Sequence, residues 1–296
     1  MRRLTSIFVA ILMLFCGALA EDQVDPVELY SDLYTLWDVP FGLPANEMVA
    51  EVRANTGIQL VKDESVYEFY SGDDEFYHPV DDQEISIMGI PLESLSMTCS
   101  PEIVPYGAQD DSQAYFLENP VYISTWLYFQ EFNYDIGEEN SWEEATDLCL
   151  TDGIPQFNAL LSGLWQKYGA PTLAFVEYNE GLALSNKVEY QGRTYYAPEK
   201  VFSIELADPA IDSSIITDTV NWELDAMHRQ TSVEVEIQFE NIRLTGKYLS
   251  YSANCLWENT ITFGVQDNHD RYELRATIAD LYAQAIAYDK EVDVSF

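Results

Sequence analysis

From residue 233 to residue 240 the chain alternates strictly. Val233, Val235, Ile237 and Phe239 fall on one side, and Glu234, Glu236, Gln238 and Glu240 on the other. Residues two apart share a face of a strand. The pattern therefore predicts an antiparallel strand with one face on a core and the other in water. The run "SVEVEIQFENIRLTGKYLSYS" continues the β signal, and "CLWENTITFGV" adds another strand. "PVYISTWLYFQEF", "TLAFVEYN" and "TYYAPEKVFSIEL" read as further strands. "ISIMGIPLESLSMTC" alternates around Gly89 and Pro91 and reads as a strand or a bent hairpin.

Helical spacing appears in four places. Asp25-Pro26 is an N-cap with proline at the first helical position, and Leu29, Leu33 and Leu36 recur before Pro40 ends the segment. In "NEMVAEVRANTG" the stripe is Met48, Val49 and Val52, with Gly57 at the C-terminal cap. "IPQFNALLSGLWQKYG" carries Leu160, Leu161 and Leu164, with Gly169 after them. A last helix opens on a capping box of Asp270 and Glu273 and buries Leu274, Ile278, Leu281 and Ala285.

Strands and helices in no strict alternation predict an α+β fold: antiparallel sheets with helices packed on one face. The polar stretch "DIGEENSWEEATD" divides the chain into an N-terminal lobe, 21–145, and a C-terminal lobe, 146–296. Leu160, Leu161, Leu164 and Gly169 repeat Met48, Val49, Val52 and Gly57 at a constant offset of 112 residues, as two related lobes would.

The first 20 residues change the compartment. Arg2 and Arg3 precede the apolar run Ile7 to Leu14, and Ala18-Leu19-Ala20 suits signal peptidase. Residues 1–20 read as a signal peptide, and the mature protein is expected outside the cytoplasm, secreted or in the cell envelope. Two of the 14 Lys and Arg fall in that signal, which holds no acid. The remainder carries 12 against 51 Asp and Glu, a net charge of −39. Such charge excludes nucleic acid, which needs a basic footprint, and opposes anionic membrane surfaces. Cys99, Cys149 and Cys255 form no C-x-x-C pair. One disulfide with one free thiol, in any of three pairings, stands beside the reading of three small buried residues.

Candidate chemistry is sparse. His78, His228 and His269 sit in no zinc-binding spacing, and no cofactor motif is present. His269, in "NHD", fits a helix cap. Trp165, Trp222 and Trp257 fall in predicted elements and read as core. Asp73, Asp74, Glu75, Asp81 and Asp82 offer oxygen donors for weak calcium binding, but the EF-hand glycine position is His78, and a solvated loop is the preferred reading. The same stretch mixes acids with Phe69, Tyr70, Phe76 and Tyr77. Exposed aromatics beside charge suit a protein interface, so these four are the candidate partner-binding residues.

Phe41, Gly42, Leu43, Glu47, Val49, Val52 and Gly57 resemble the opening of small extracytoplasmic bacterial α+β modules. These are the outer-membrane assembly lipoproteins of the SmpA/OmlA type and the tandem modules of secreted β-lactamase inhibitor proteins. The second half keeps the helix stripe, Gly169 and Pro171 but lacks the Phe-Gly. The resemblance implies a non-enzymatic protein that binds another extracytoplasmic protein. The alternative is an extracytoplasmic hydrolase or carbohydrate binder that uses carboxylates and aromatics.

Overall fold

A computed structural model describes residues 25–30, 33–63, 74–81, 83–103, 115–137, 140–180, 187–190, 193–196, 200–220, 231–264 and 280. The predicted signal peptide and the predicted C-terminal helix, apart from Asp280, lie outside the described residues.

The described chain is mostly antiparallel sheet with a few helices, an α+β fold. The helices are α1 (Pro26–Leu29), α2 (Ala45–Thr56), α3 (Trp142–Tyr168) and α4 (Ser214–Thr217). The strands in the N-terminal half are β1 (Leu60–Lys62), β2 (Glu75–Pro79), β3 (Ser86–Ile87), β4 (Ile90–Ile103), β5 (Tyr115–Phe129) and β6 (Phe132–Asp135). Those in the C-terminal half are β7 (Leu173–Glu180), β8 (Lys187–Tyr190), β9 (Arg193–Tyr196), β10 (Lys200–Ser203), β11 (Thr231–Phe239), β12 (Ile242–Tyr251) and β13 (Asn254–Gly264). One open sheet runs β1-β2-β4-β5-β13-β12-β11-β7-β10, with β3 on β4 and β6 on β13, while β8 and β9 form a separate hairpin. From the β1 edge to β5 the order follows the chain. From β13 to β7 it runs backwards. The sheet is thus continuous across the boundary at residue 145.

The core on the C-terminal half is set by α3. Ser141 caps it by accepting the Glu144 N–H, and Glu143 and Glu144 suit the positive end of the helix. Its 27 residues span about 40 Å. The helix is longer than its sequence suggests. It begins twelve residues before Ile154, takes in the last six residues of the acidic stretch read as a boundary, and continues past Gly153 and Pro155. The stripe that carries it includes Ala145, Cys149, Phe157, Leu160 and Leu164, all inaccessible to solvent. Phe157 meets Trp257 edge to face at 6.3 Å, and both crowd Gly246 of β12. Trp257 is a core residue, as expected.

Both helix-ending glycines have positive φ, +80° at Gly57 and +89° at Gly169, and each N–H bonds the carbonyl four residues back. Their ψ values differ, −5° against −169°, so the chain leaves the two helices in different directions.

The first helix is shorter than predicted. It stops at Leu29, and Leu36-Trp37-Asp38-Val39 makes a tight turn with Trp37 and Asp38 both at positive φ. Tertiary bonds override the leucine spacing. Asn241 accepts the Tyr34 N–H and donates to the Tyr34 carbonyl, each at 3.1 Å, and Tyr168 stacks on Tyr34 at 4.6 Å. Next to this turn, Gly42 (φ +86°) donates to the Tyr122 carbonyl while Phe41 stacks on the Tyr122 ring at 4.7 Å. A Cβ at Gly42 would overlap the Pro26 carbonyl. The Phe-Gly-Leu stretch therefore pins the entry to α2 onto β5.

Two strand expectations are corrected. "TYYAPEKVFSIEL" is not one strand but β9 and β10, which join different sheets. Of the two readings of the acidic stretch around Phe76, a loop or an irregular hairpin, the loop is corrected over residues 75–79, which supply β2, paired antiparallel on both sides.

Candidate functional site

On β13, Cys255, Trp257, Asn259, Ile261 and Phe263 are buried beneath α3 or its neighbours, and the alternate residues point to the other face. Cross-strand register extends that second face. Trp126 of β5 lies opposite Thr262, which lies opposite Arg243 of β12, which lies opposite Gln238 of β11. The next row is Tyr128, Thr260, Thr245 and Glu236, and the next is Glu258, Lys247 and Glu234. On the other side of β5, Ser96 and Ser94 of β4 face Trp126 and Tyr128.

Trp126 is 36% exposed in the middle of this face. It stacks on Tyr128, two residues along the strand, with centroids 6.5 Å apart and planes 16° from parallel. Arg243 reaches over Thr262 to place its guanidinium 5.8 Å from the Trp126 ring centre. That guanidinium is held from behind. Its Nη1 is 3.8 Å from Oε2 of buried Glu236, whose Oε1 accepts a 2.7 Å bond from Gln238. The alternation placed Glu236 and Gln238 in water, yet both are at most 5% exposed. A buried carboxylate needs such partners.

The rim of the patch is acidic. Burial raises the Glu258 carboxyl above its ordinary value. Lys247 opposes the shift, and Glu131, Glu93 and Glu234 add to it. Burial, then the charge of Glu258, raises the Tyr128 hydroxyl as well. Among the described residues, cavities also lie away from this face. One of about 180 Å³ is lined by Trp165, Pro171, Leu173 and Leu206, and one of about 380 Å³ by Lys200, Phe202, Ile215 and Asp218.

The four residues singled out by sequence do not gather at one place. Phe69 and Tyr70 lie outside the described residues. Phe76 and Tyr77 are neighbours on β2 and so point to opposite faces. Phe76 pairs with Thr98, which pairs with Ser124, on the same face as Trp126. Tyr77 packs against the core and donates to Glu75 at 2.6 Å. Glu75 also takes a 2.6 Å bond from Lys62, which commits a residue counted among the calcium donors to an ion pair. Among the described residues, no group of three His, Cys, Asp or Glu converges as metal ligands would. His78 lies on β2, and Trp222, His228 and His269 lie outside the described residues.

Trp126, Tyr128, Arg243 and Glu258 were not singled out by sequence. In Thr125-Trp126-Leu127-Tyr128-Phe129 inward and outward residues are nearly all apolar, so the alternation that betrays an exposed face is silent. Scans against models of protein families, curated proteins and solved structures found no match to this chain.

Proposed function

We propose that this is a non-enzymatic, extracytoplasmic binding protein that meets a partner protein with the sheet face around Trp126, Tyr128 and Arg243. The observation that carries the reading is the fixed placement of an exposed Trp, stacked on Tyr and capped by an Arg braced against a buried carboxylate. Trp, Tyr and Arg are the residue types that anchor interfaces, and preorganised anchors lose little freedom on binding. The acidic rim and the net charge, −39 without residues 1–20, favour a partner with a cationic surface.

The chain order within the sheet supports two related lobes. Each lobe has a helix ending in glycine followed by strands, and the strand sequence of one is reversed across the β5–β13 pair. In this reading the helices of both lobes cover one face and leave the other for the partner.

The test is capture from the native extracellular or envelope fraction with the mature chain and with a Trp126→Ser/Tyr128→Ser variant of matching circular dichroism. A protein retained only by the unaltered chain supports the reading. Equal retention by both removes the face from the interface. Binding to immobilised glycans that the variant loses would assign the same face to carbohydrate instead.

A further inference from the structure

The three cysteines among the described residues, Cys99, Cys149 and Cys255, are buried, and their positions are not equivalent. Cys255 lies near the start of β13, where its Sγ is 3.4 Å from Thr146 Oγ1 of α3 and 3.6 Å from the Tyr248 hydroxyl. Cys149 follows Thr146 by about one helical turn and faces the same strands. Its Sγ is 3.5 Å from the carbonyl oxygen of Phe132 in β6, and β6 pairs Phe132 with Trp257 and Tyr134 with Cys255. Burial raises the Cys149 thiol, and Cys255 is the next contributor to that shift.

Cys99 is remote. Thr98 pairs with Ser124, and Ser124 with Gly264, so Cys99 sits by the far end of β13. Gly264 is nine residue steps along the strand from Cys255, about 30 Å. A disulfide requires Cα atoms within about 7 Å. The groups that act on Cys99 are Glu75, Asp74 and Lys62, at the β1–β2 edge.

We propose that Cys149 and Cys255 join in a disulfide when the chain folds in an oxidising compartment, and that Cys99 stays a free thiol. The oxidant is a disulfide donor, glutathione disulfide in vitro. One thiolate attacks the donor, forming a mixed disulfide and releasing a first thiol. The second thiolate attacks that bond and releases the other thiol, so two electrons and two protons pass to the donor. Both sulfurs are buried in the folded protein, so the exchange occurs before α3 closes on the sheet. The bond ties α3 to β13, and with it the chain's central helix to its central strand.

The test uses the full mature chain, reduced, unfolded and refolded in a glutathione redox buffer. Free thiols are alkylated, and the protein is digested without reduction for mass spectrometry. The expected result is a Cys149–Cys255 linked peptide pair with alkyl only on Cys99. Reduction should then lower Tm by about 5–10 °C in this chain and in Cys99→Ser, and leave Tm unchanged in Cys255→Ser. Three alkylated cysteines in refolded chain with native circular dichroism would overturn the proposal, as would any linked peptide containing Cys99.

Discussion

Gly153, inside helix α3, faces the indole of Trp257 with no room for a side chain between them. A Cβ there would overlap Cγ and Cδ1 of a ring that is itself wholly buried. Glycine in a helix interior costs about 1 kcal/mol relative to alanine, and here close helix–sheet packing offsets that cost. Gly153→Ala is expected to destabilise the protein by about 2–3 kcal/mol despite its better helix propensity. Gly163 is the control. Its Cβ would meet the side chain of Met88, which is 44% exposed and free to swing away. Gly163→Ala should therefore fall within about 1 kcal/mol of the unaltered chain. Urea unfolding of both variants checks the contrast, and equal effects would contradict it.

Asn259 joins the same helix to the sheet. It accepts the Trp257 indole N–H at 2.7 Å and donates to the Gly153 carbonyl at 3.2 Å and to Gln156 at 2.9 Å. Replacing it leaves a buried indole N–H without its acceptor. Asn259→Ala should cost about 2–4 kcal/mol, with lost near-ultraviolet signal from Trp257 as the helix loosens.

Glu258 predicts a pH effect of a particular sign. Burial, then its acidic neighbours, holds its folded pKa above the unfolded value despite Lys247. Its charge therefore lowers stability at neutral pH, and acid relieves that. Glu258→Gln should raise Tm by about 1–2 °C at pH 7. The gain should shrink as pH falls through the folded pKa and vanish below the ordinary Glu value of about 4.3. A gain that persisted in acid would place the effect outside ionisation.

Glu75 predicts the opposite. Burial pushes its carboxyl up, but the hydrogen bonds from Lys62 and Tyr77 and the Lys62 charge bring it below the ordinary value. This pair contributes stability above the unfolded Glu pKa, and that contribution is lost as pH falls through the folded one. Lys62→Met should lower Tm at pH 7 and have little effect near pH 2. Thermal melts across that range decide it.

Sequence made some of this legible and hid the rest for physical reasons. Val233 to Phe239 alternate because one face is apolar and the other polar, and that stretch is a strand as read; the β run that follows it supplies a second strand, Ile242–Tyr251. The first half of α3 was hidden by Gly153 and Pro155, which look like breakers. Burial of Ala145 and Cys149 against β6, β12 and β13 outweighs them. Leu29, Leu33 and Leu36 misled because Asn241, more than 200 residues away, claims the backbone of Tyr34. The patch was hidden most deeply. Trp126 differs from Leu127 only in which way the strand turns it, and a strand apolar on both sides does not announce that.

The central claim is that the face bearing Trp126 meets another protein, and a photo-crosslinking residue placed at position 126 tests it most directly. Illuminated in the native fraction, it should give a discrete adduct with one protein. The same residue at Glu51, exposed on α2, should give none. No adduct from position 126, or the same adduct from both positions, would contradict the account.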